Sequence, residues 1–241
     1  MPDPAHATET QTVHHFERTT TVTLGYKYLM ALPEDYGSDA GKRWPLLLFL
    51  HGSGERGDDI WLVAKHGPPK LLRESQAGPA ARMLAEHFIV VSPQCPKGVW
   101  WDTDTLLALL DEIIAKHRVD PARVYLTGLS MGGYGAWELG TAHPERFAAM
   151  VPICGGGNFL TAYGSSIAKR EALRSLGIWA FHGAKDETVP LEESERMVAV
   201  MKRFEVADVR LTIHPEAKHD SWTETYANPD LYDWMLGHVR R

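Results

Sequence analysis

Residues 124–133, Val-Tyr-Leu-Thr-Gly-Leu-Ser-Met-Gly-Gly, restrict the fold of this chain more than any other stretch. A β-branched and apolar run drives straight into Gly128-x-Ser130-x-Gly132, and a helical pattern follows over 135–142. The reading is a strand, a tight turn and a helix. A serine at such a turn takes a strained backbone, and strand and helix can close on each other only where the flanking residues lack bulk, which glycine supplies at 128 and 132. Ser130 then stands alone above the end of a strand. The five-residue pattern is weak by itself, and its weight comes from lying between a strand and a helix.

The rest of the chain repeats that alternation. Residues 45–50 form a continuous apolar run, as expected of a strand buried on both faces of a mostly parallel sheet. Further strands are expected at 88–92, 147–153, 178–181 and 209–213. Helices are expected around 70–73 and 80–86, over 105–117 behind Asp104 or Thr103 as N-cap, and over 191–204 and 231–239. Residues 15–24 and 25–32 read as an entry hairpin turning at Leu24-Gly25 and ended by Pro33. The sum is an α/β fold: a mostly parallel, twisted sheet of about eight strands with helices on both faces. A polar tail (1–14) precedes one domain (15–241), because no composition shift marks a linker.

At 241 residues and 44% hydrophobic content the chain can bury a sizeable core. Its net charge of −6 carries no basic stripe, so no nucleic acid or anionic membrane is expected as a partner. Two cysteines, Cys95 and Cys154, are too few for a disulfide scaffold; they are read as free thiols, with a single bridge as the alternative. The polar N-terminus lacks the apolar core of a signal peptide, and no run approaches the ~20 apolar residues of a membrane span. As written the chain reads as soluble and cytoplasmic, or secreted if a signal once preceded it.

Serine is a poor nucleophile near neutral pH and needs a histidine base, itself oriented by a carboxylate. Two later strands open into loops that carry these groups. The strand at 178–181 leads to His182-Gly183-Ala184-Lys185-Asp186, and that at 209–213 leads to His214-Pro215-Glu216-Ala217-Lys218-His219-Asp220. Asp186 and His219 therefore reach the same sheet edge as Ser130, with Glu187 the second choice of acid. His182 and His214, nearer their strands, are read as loop supports, and Asp220 as a possible helix cap. Acyl transfer also needs donors for a negative oxygen. The backbone N–H of Met131 supplies one, and the loop His51-Gly52-Ser53-Gly54 the other, with Ser53 the first choice and Gly54 the second. Trp100, Trp101 and Trp222 are candidate aromatic walls for a substrate. Glu55 and Arg56 are expected to brace the loop as a salt bridge.

Residues 50–57 (Leu-His-Gly-Ser-Gly-Glu-Arg-Gly), 128–133, 182–186 and 216–220 together resemble the α/β-hydrolase superfamily. More narrowly they resemble its small serine carboxylesterases, described as phospholipase/carboxylesterase, dienelactone hydrolase-like or predicted peptidase and related to feruloyl and acetylxylan esterases. The resemblance runs from about Pro45 to the C-terminus. It implies the α/β-hydrolase fold and a serine-esterase mechanism, with the partners in the order serine, acid, histidine. It also implies no metal and no cofactor. Dienelactone hydrolases proper use a cysteine nucleophile, so Ser130 argues against that activity. Residues 158–176, where this fold usually inserts a lid, are barely long enough for one helix, so no substantial lid is expected. The expected substrate is a small-molecule or carbohydrate-linked ester. Peptide or amide hydrolysis on the same residues is the alternative, and a non-catalytic binding protein of the same fold is a third reading.

Overall fold

The apolar run at 45–50 becomes strand β2 (Trp44–Leu50), in which every residue is buried. Its side chains alternate between two cores: Leu46, Leu48 and Leu50 join one, Leu47 and Phe49 the other. Only a strand covered on both faces divides its side chains this way. A computed structural model describes residues 13–240 apart from 20, 22, 24, 75–77 and 161–166.

Around β2 lie β1 (Lys27–Ala31), β3 (Ile89–Gln94), β4 (Val119–Leu129), β5 (Ala149–Ile153), β6 (Gly177–Gly183) and β7 (Val209–His214). They form one sheet in the order β1-β3-β2-β4-β5-β6-β7, parallel throughout except where β1 pairs antiparallel with β3. Among the described residues the sheet thus has seven strands, one fewer than the sequence suggests. In the first arm of the expected hairpin, the described residues 15–19 carry no strand and Phe16 is exposed, so that stretch has no face to bury. Residues 20, 22 and 24 of that arm, and 1–12 of the expected tail, lie outside the described residues.

Among the described residues the helices are α1 (Gly67–Arg73), α2 (Pro79–His87), α3 (Thr103–Lys116), α4 (Met131–Ala142), α5 (Ile167–Ser175), α6 (Glu192–Arg203), α7 (Trp222–Ala227) and α8 (Pro229–Leu236). On one face α3, α4 and α6 bury Leu106 and Leu110, Trp137 and Leu139, and Met197 and Met201 against the sheet. On the other, α2, α7 and α8 contribute Leu84, Tyr226, Leu231 and Tyr232. The cap of α3 is Asp102, not Thr103 or Asp104: its Oδ1 accepts the Thr105 N–H at 2.8 Å. Between β5 and β6, where a lid would be inserted, the described residues hold α5 as their one extended helix.

The parallel strands end on one edge. Leu50 is paired with Gly128 and Gly183 with His214, so the loops after β2, β4, β6 and β7 open side by side.

Candidate active site

Three close backbone approaches build the turn after β4. A methyl at Gly128 would run into the Gly132 carbonyl, one at Gly132 into the Leu50 carbonyl and one at Gly133 into that of Ile153. With these positions bare, α4 packs directly on β2, β4 and β5, and Ser130 bridges the strand and the helix at φ 52°, ψ −117°. A non-glycine residue there costs on the order of 1–3 kcal/mol. Backbone bonds hold it: the Ser130 N–H donates to the Ile153 carbonyl, and the Tyr134 N–H to the Ser130 carbonyl, both at 3.0 Å.

The loops after β6 and β7 are joined in the same manner. A side chain at Gly183 would meet the Lys218 carbonyl, and the N–H groups of Ala184 and Lys185 donate to the carbonyls of His214 and Ala217 at 2.9 and 3.0 Å. That junction brings Asp186 to His219. His219 Nδ1–H donates to Asp186 Oδ2 at 2.7 Å, and the Ser130 hydroxyl donates to His219 Nε2 at 2.9 Å. The Asp186 side chain is fully buried, and its Oδ1 accepts the N–H groups of Thr188 and Val189, each at 2.9 Å. Burial alone would push this carboxyl up, but the bonds from His219, Val189 and Thr188 outweigh it and hold it below the usual carboxylate range. Asp186, not the exposed Glu187, faces the histidine.

His182 is fully buried beneath this loop. Its Nε2–H donates to the Val189 carbonyl at 2.9 Å, and its Nδ1 meets the Ser194 hydroxyl at 2.8 Å, which also reaches the Gly155 carbonyl at 3.0 Å. His214 Nε2 meets Thr225 Oγ1 at 3.0 Å, which ties β7 to α7. Asp220 caps α7 through the N–H and hydroxyl of Thr223 at 3.0 and 2.9 Å.

The loop after β2 lies against the turn. A Cβ at Gly52 would sit 2.8 Å from Leu129 Cδ1 and 3.6 Å from Ser130 Cβ, so only glycine fits without displacement. Ser53 opens a 3-10 turn (Ser53–Glu55), and Met131 opens α4. As first residues, both have N–H groups with no partner inside their own helices. Arg56 holds the loop, but not through Glu55: its Nε and Nη1 donate to the carbonyls of Ser53 and Val99, both at 3.1 Å. His51 anchors the loop from below, with Nδ1–H donating to the Gly52 carbonyl at 2.6 Å and Nε2 accepting the Cys95 N–H at 2.9 Å.

Burial pushes His51 down to about 4, although the Gly52 bond opposes the shift and Arg56 adds to it. Because the unfolded chain takes up a proton near 6.5 and the folded one only near 4, folding stability must fall as pH drops through that window. The expected loss from this group is about 2–3 kcal/mol between pH 6.5 and 4.5. Urea unfolding of the wild type and of His51→Asn at both pH values checks it: the wild type should lose more stability than the variant, and parallel losses would contradict the assignment.

Ser130, His219, Gly52, Ser53, Gly54, Glu55, His66 and Trp222 line one cleft of ≈ 190 Å³. The three tryptophans separate. Trp222 stands on the cleft wall, its ring perpendicular to His219 at 5.3 Å. Trp101 is a core residue, packed on Gly135, Tyr26 and His51, and offers no wall to this cleft. Trp100 is exposed and lines a different hollow with Tyr26 and Val99. The pair Glu55 and His66, with Nε2 and Oε1 3.8 Å apart, is a feature the sequence did not single out.

Both cysteines are free and buried. Among the described residues the group able to aim three ligand atoms at a metal is Cys154, Asp186 and His219, whose atoms lie within 4.8 Å of one another. Its chemistry fits a metal poorly: Asp186 and His219 already engage each other, and burial pushes the Cys154 thiol up to about 12, suppressing the thiolate. Among the described residues no helix is long and apolar enough to cross a membrane.

Comparison with known proteins agrees with this architecture. A family profile described as Phospholipase/Carboxylesterase matches residues 93–228. "Poly(3-hydroxyalkanoate) depolymerase C" of Paucimonas lemoignei is 28% identical over 148 residues, covering 54% of this chain and 35% of the relative. "Probable feruloyl esterase C" of Aspergillus terreus is 27% identical over 175 residues, covering 70% of this chain and 57% of the relative. The chain thus spans about a third to three fifths of the length of these relatives. A crystal structure of a thermostable esterase superposes with a TM-score of 0.71 at 31% identity, covering 88% of this chain and 59% of that one. The sheet order, the serine turn and the profile match converge: the chain belongs to the phospholipase/carboxylesterase family of α/β-hydrolases.

Proposed function

We propose that this chain is a carboxylic-ester hydrolase that works through an acyl-enzyme on Ser130. The observation that carries the reading is the unbroken line Ser130 Oγ, His219 Nε2, His219 Nδ1, Asp186 Oδ2, with bonds of 2.9 and 2.7 Å. Ser130 Oγ attacks the ester carbonyl carbon as its proton passes to His219 Nε2. Asp186 keeps the other ring nitrogen protonated and offsets the imidazolium charge. The N–H groups of Ser53 and Met131 receive the oxyanion, assisted by the positive end of α4. The C–O bond to the alcohol then breaks as His219 returns the proton to the departing oxygen. Water, deprotonated by the same histidine, releases the acid and restores Ser130.

The domain is read as one catalytic unit over 15–241, with a short-chain, aryl-linked or sugar-linked ester as substrate. The open cleft, the Trp222 ring and the similarity to a feruloyl esterase support that class. Amide hydrolysis would use the same residues on a poorer leaving group. Turnover of p-nitrophenyl butyrate against butyryl p-nitroanilide separates the two, the ester being expected to react faster because the amide needs a poorer leaving group protonated. Equal rates, or a faster anilide, would move the assignment to an amidase.

A further inference from the structure

Within the cleft a second carboxylate and imidazole lie near each other and near Ser130. Glu55 is buried, with its side chain 5% exposed, and His66 Nε2 lies 3.8 Å from Glu55 Oε1. Trp222 sets the state of that histidine: its indole N–H points to His66 Nδ1 at 3.3 Å, so Nδ1 accepts and the ring hydrogen sits on Nε2. Burial also lowers the His66 pKa, in keeping with a neutral ring.

The result is a donor and an acceptor 3.8 Å apart, a gap too long for a direct hydrogen bond. A carboxylate this buried is costly to leave without a full partner. An oxygen placed ~2.8 Å from both atoms would subtend ~85° between them, a geometry a hydroxyl can meet by accepting from Nε2–H and donating to Oε1. An ether or ketone accepts but cannot donate; an ammonium donates but cannot accept. The gap lies close to the nucleophile. Glu55 Oε2 and Ser130 Cβ are 3.2 and 3.6 Å from the same point, the Cβ that any residue other than glycine would carry at position 52.

We infer that Glu55 and His66 form a hydroxyl-binding subsite beside Ser130, and that this cleft favours esters carrying a free hydroxyl a few bonds from the ester carbonyl. The inference rests on the esterase reading above. The hydroxyl can belong to the acyl or to the alcohol part, and two matched pairs distinguish these. On the acyl side p-nitrophenyl 3-hydroxypropanoate is compared with p-nitrophenyl butyrate, where a hydroxyl replaces a methyl. On the alcohol side 2-hydroxyethyl butyrate is compared with propyl butyrate.

In one pair the wild type should favour the hydroxylated member by roughly tenfold or more in kcat/KM, mainly through KM. Glu55→Gln removes the negative acceptor. His66→Asn keeps a side-chain oxygen near the Nδ1 position for the Trp222 N–H while deleting the Nε2 donor. Each should bring the ratio within the pair back toward one. If Glu55 and His66 merely brace the loop, both members slow together and the ratio stays, which overturns the inference. A wild-type ratio near one in both pairs also overturns it, with no need of a variant, and leaves the esterase reading standing. Failure to hydrolyse any of the four esters would remove both.

Discussion

Asp186→Asn is expected to lower kcat by about 10⁴-fold with little change in KM. The size follows from where the side-chain amide must point. Two backbone donors, the N–H groups of Thr188 and Val189, already meet Oδ1 at 2.9 Å. They hold the asparagine oxygen at that site and turn its NH₂ toward His219 Nδ1. A donor facing Nδ1 reverses the imidazole tautomer, putting the hydrogen on Nε2, and the Ser130 hydroxyl loses its base. Because wild-type Asp186 is held below the usual carboxylate range, it stays ionised at pH values where an ordinary carboxyl would begin to protonate. Steady-state kinetics on p-nitrophenyl butyrate measures the effect, and a loss of under tenfold would contradict the role given to Asp186.

Ser130→Ala should have the largest effect, about 10⁶-fold in kcat, leaving only the residual rate that binding and oxyanion donors supply. The fold should survive. Alanine at φ 52° bears much the same backbone strain as serine, and among the described residues the Ser130 side chain bonds to His219. Thermal unfolding of the variant is expected within about 1 kcal/mol of the wild type. A variant that unfolds early would place the loss in stability rather than chemistry.

Much of this site is legible in the chain itself, for reasons tied to particular residues. Gly128, Gly132 and Gly133 are dictated by backbone collisions, so their pattern reports a turn whatever the surroundings. The run at 45–50 signals a strand covered on both faces because nothing in it could meet water. Asp186 and His219 are legible because each follows a strand whose end lies on the Ser130 edge. Other features depend on tertiary contacts that leave no local pattern. Trp100 and Trp101 are neighbours in sequence, yet one is exposed and the other packs in the core. Helix α7 has six residues, too few for an apolar period to register, though it carries Trp222 to the cleft. Glu55 and His66 meet across a connection that includes a 3-10 segment (Ile60–Lys65), and nothing in the intervening residues announces that pairing. Of the strand expected at 15–24, the described residues 15–19 are exposed and carry no strand, because apolar and β-branched residues with no second surface to cover gain no burial.

The measurement closest to the central claim is covalent trapping with a fluorophosphonate, followed by intact-mass and peptide analysis of the wild type and Ser130→Ala. The account predicts one phosphonyl group per chain, carried by the peptide that contains Ser130, loss of esterase activity in step with labelling, and no adduct on the variant. An adduct at another residue, or undiminished ester turnover by Ser130→Ala, would contradict it.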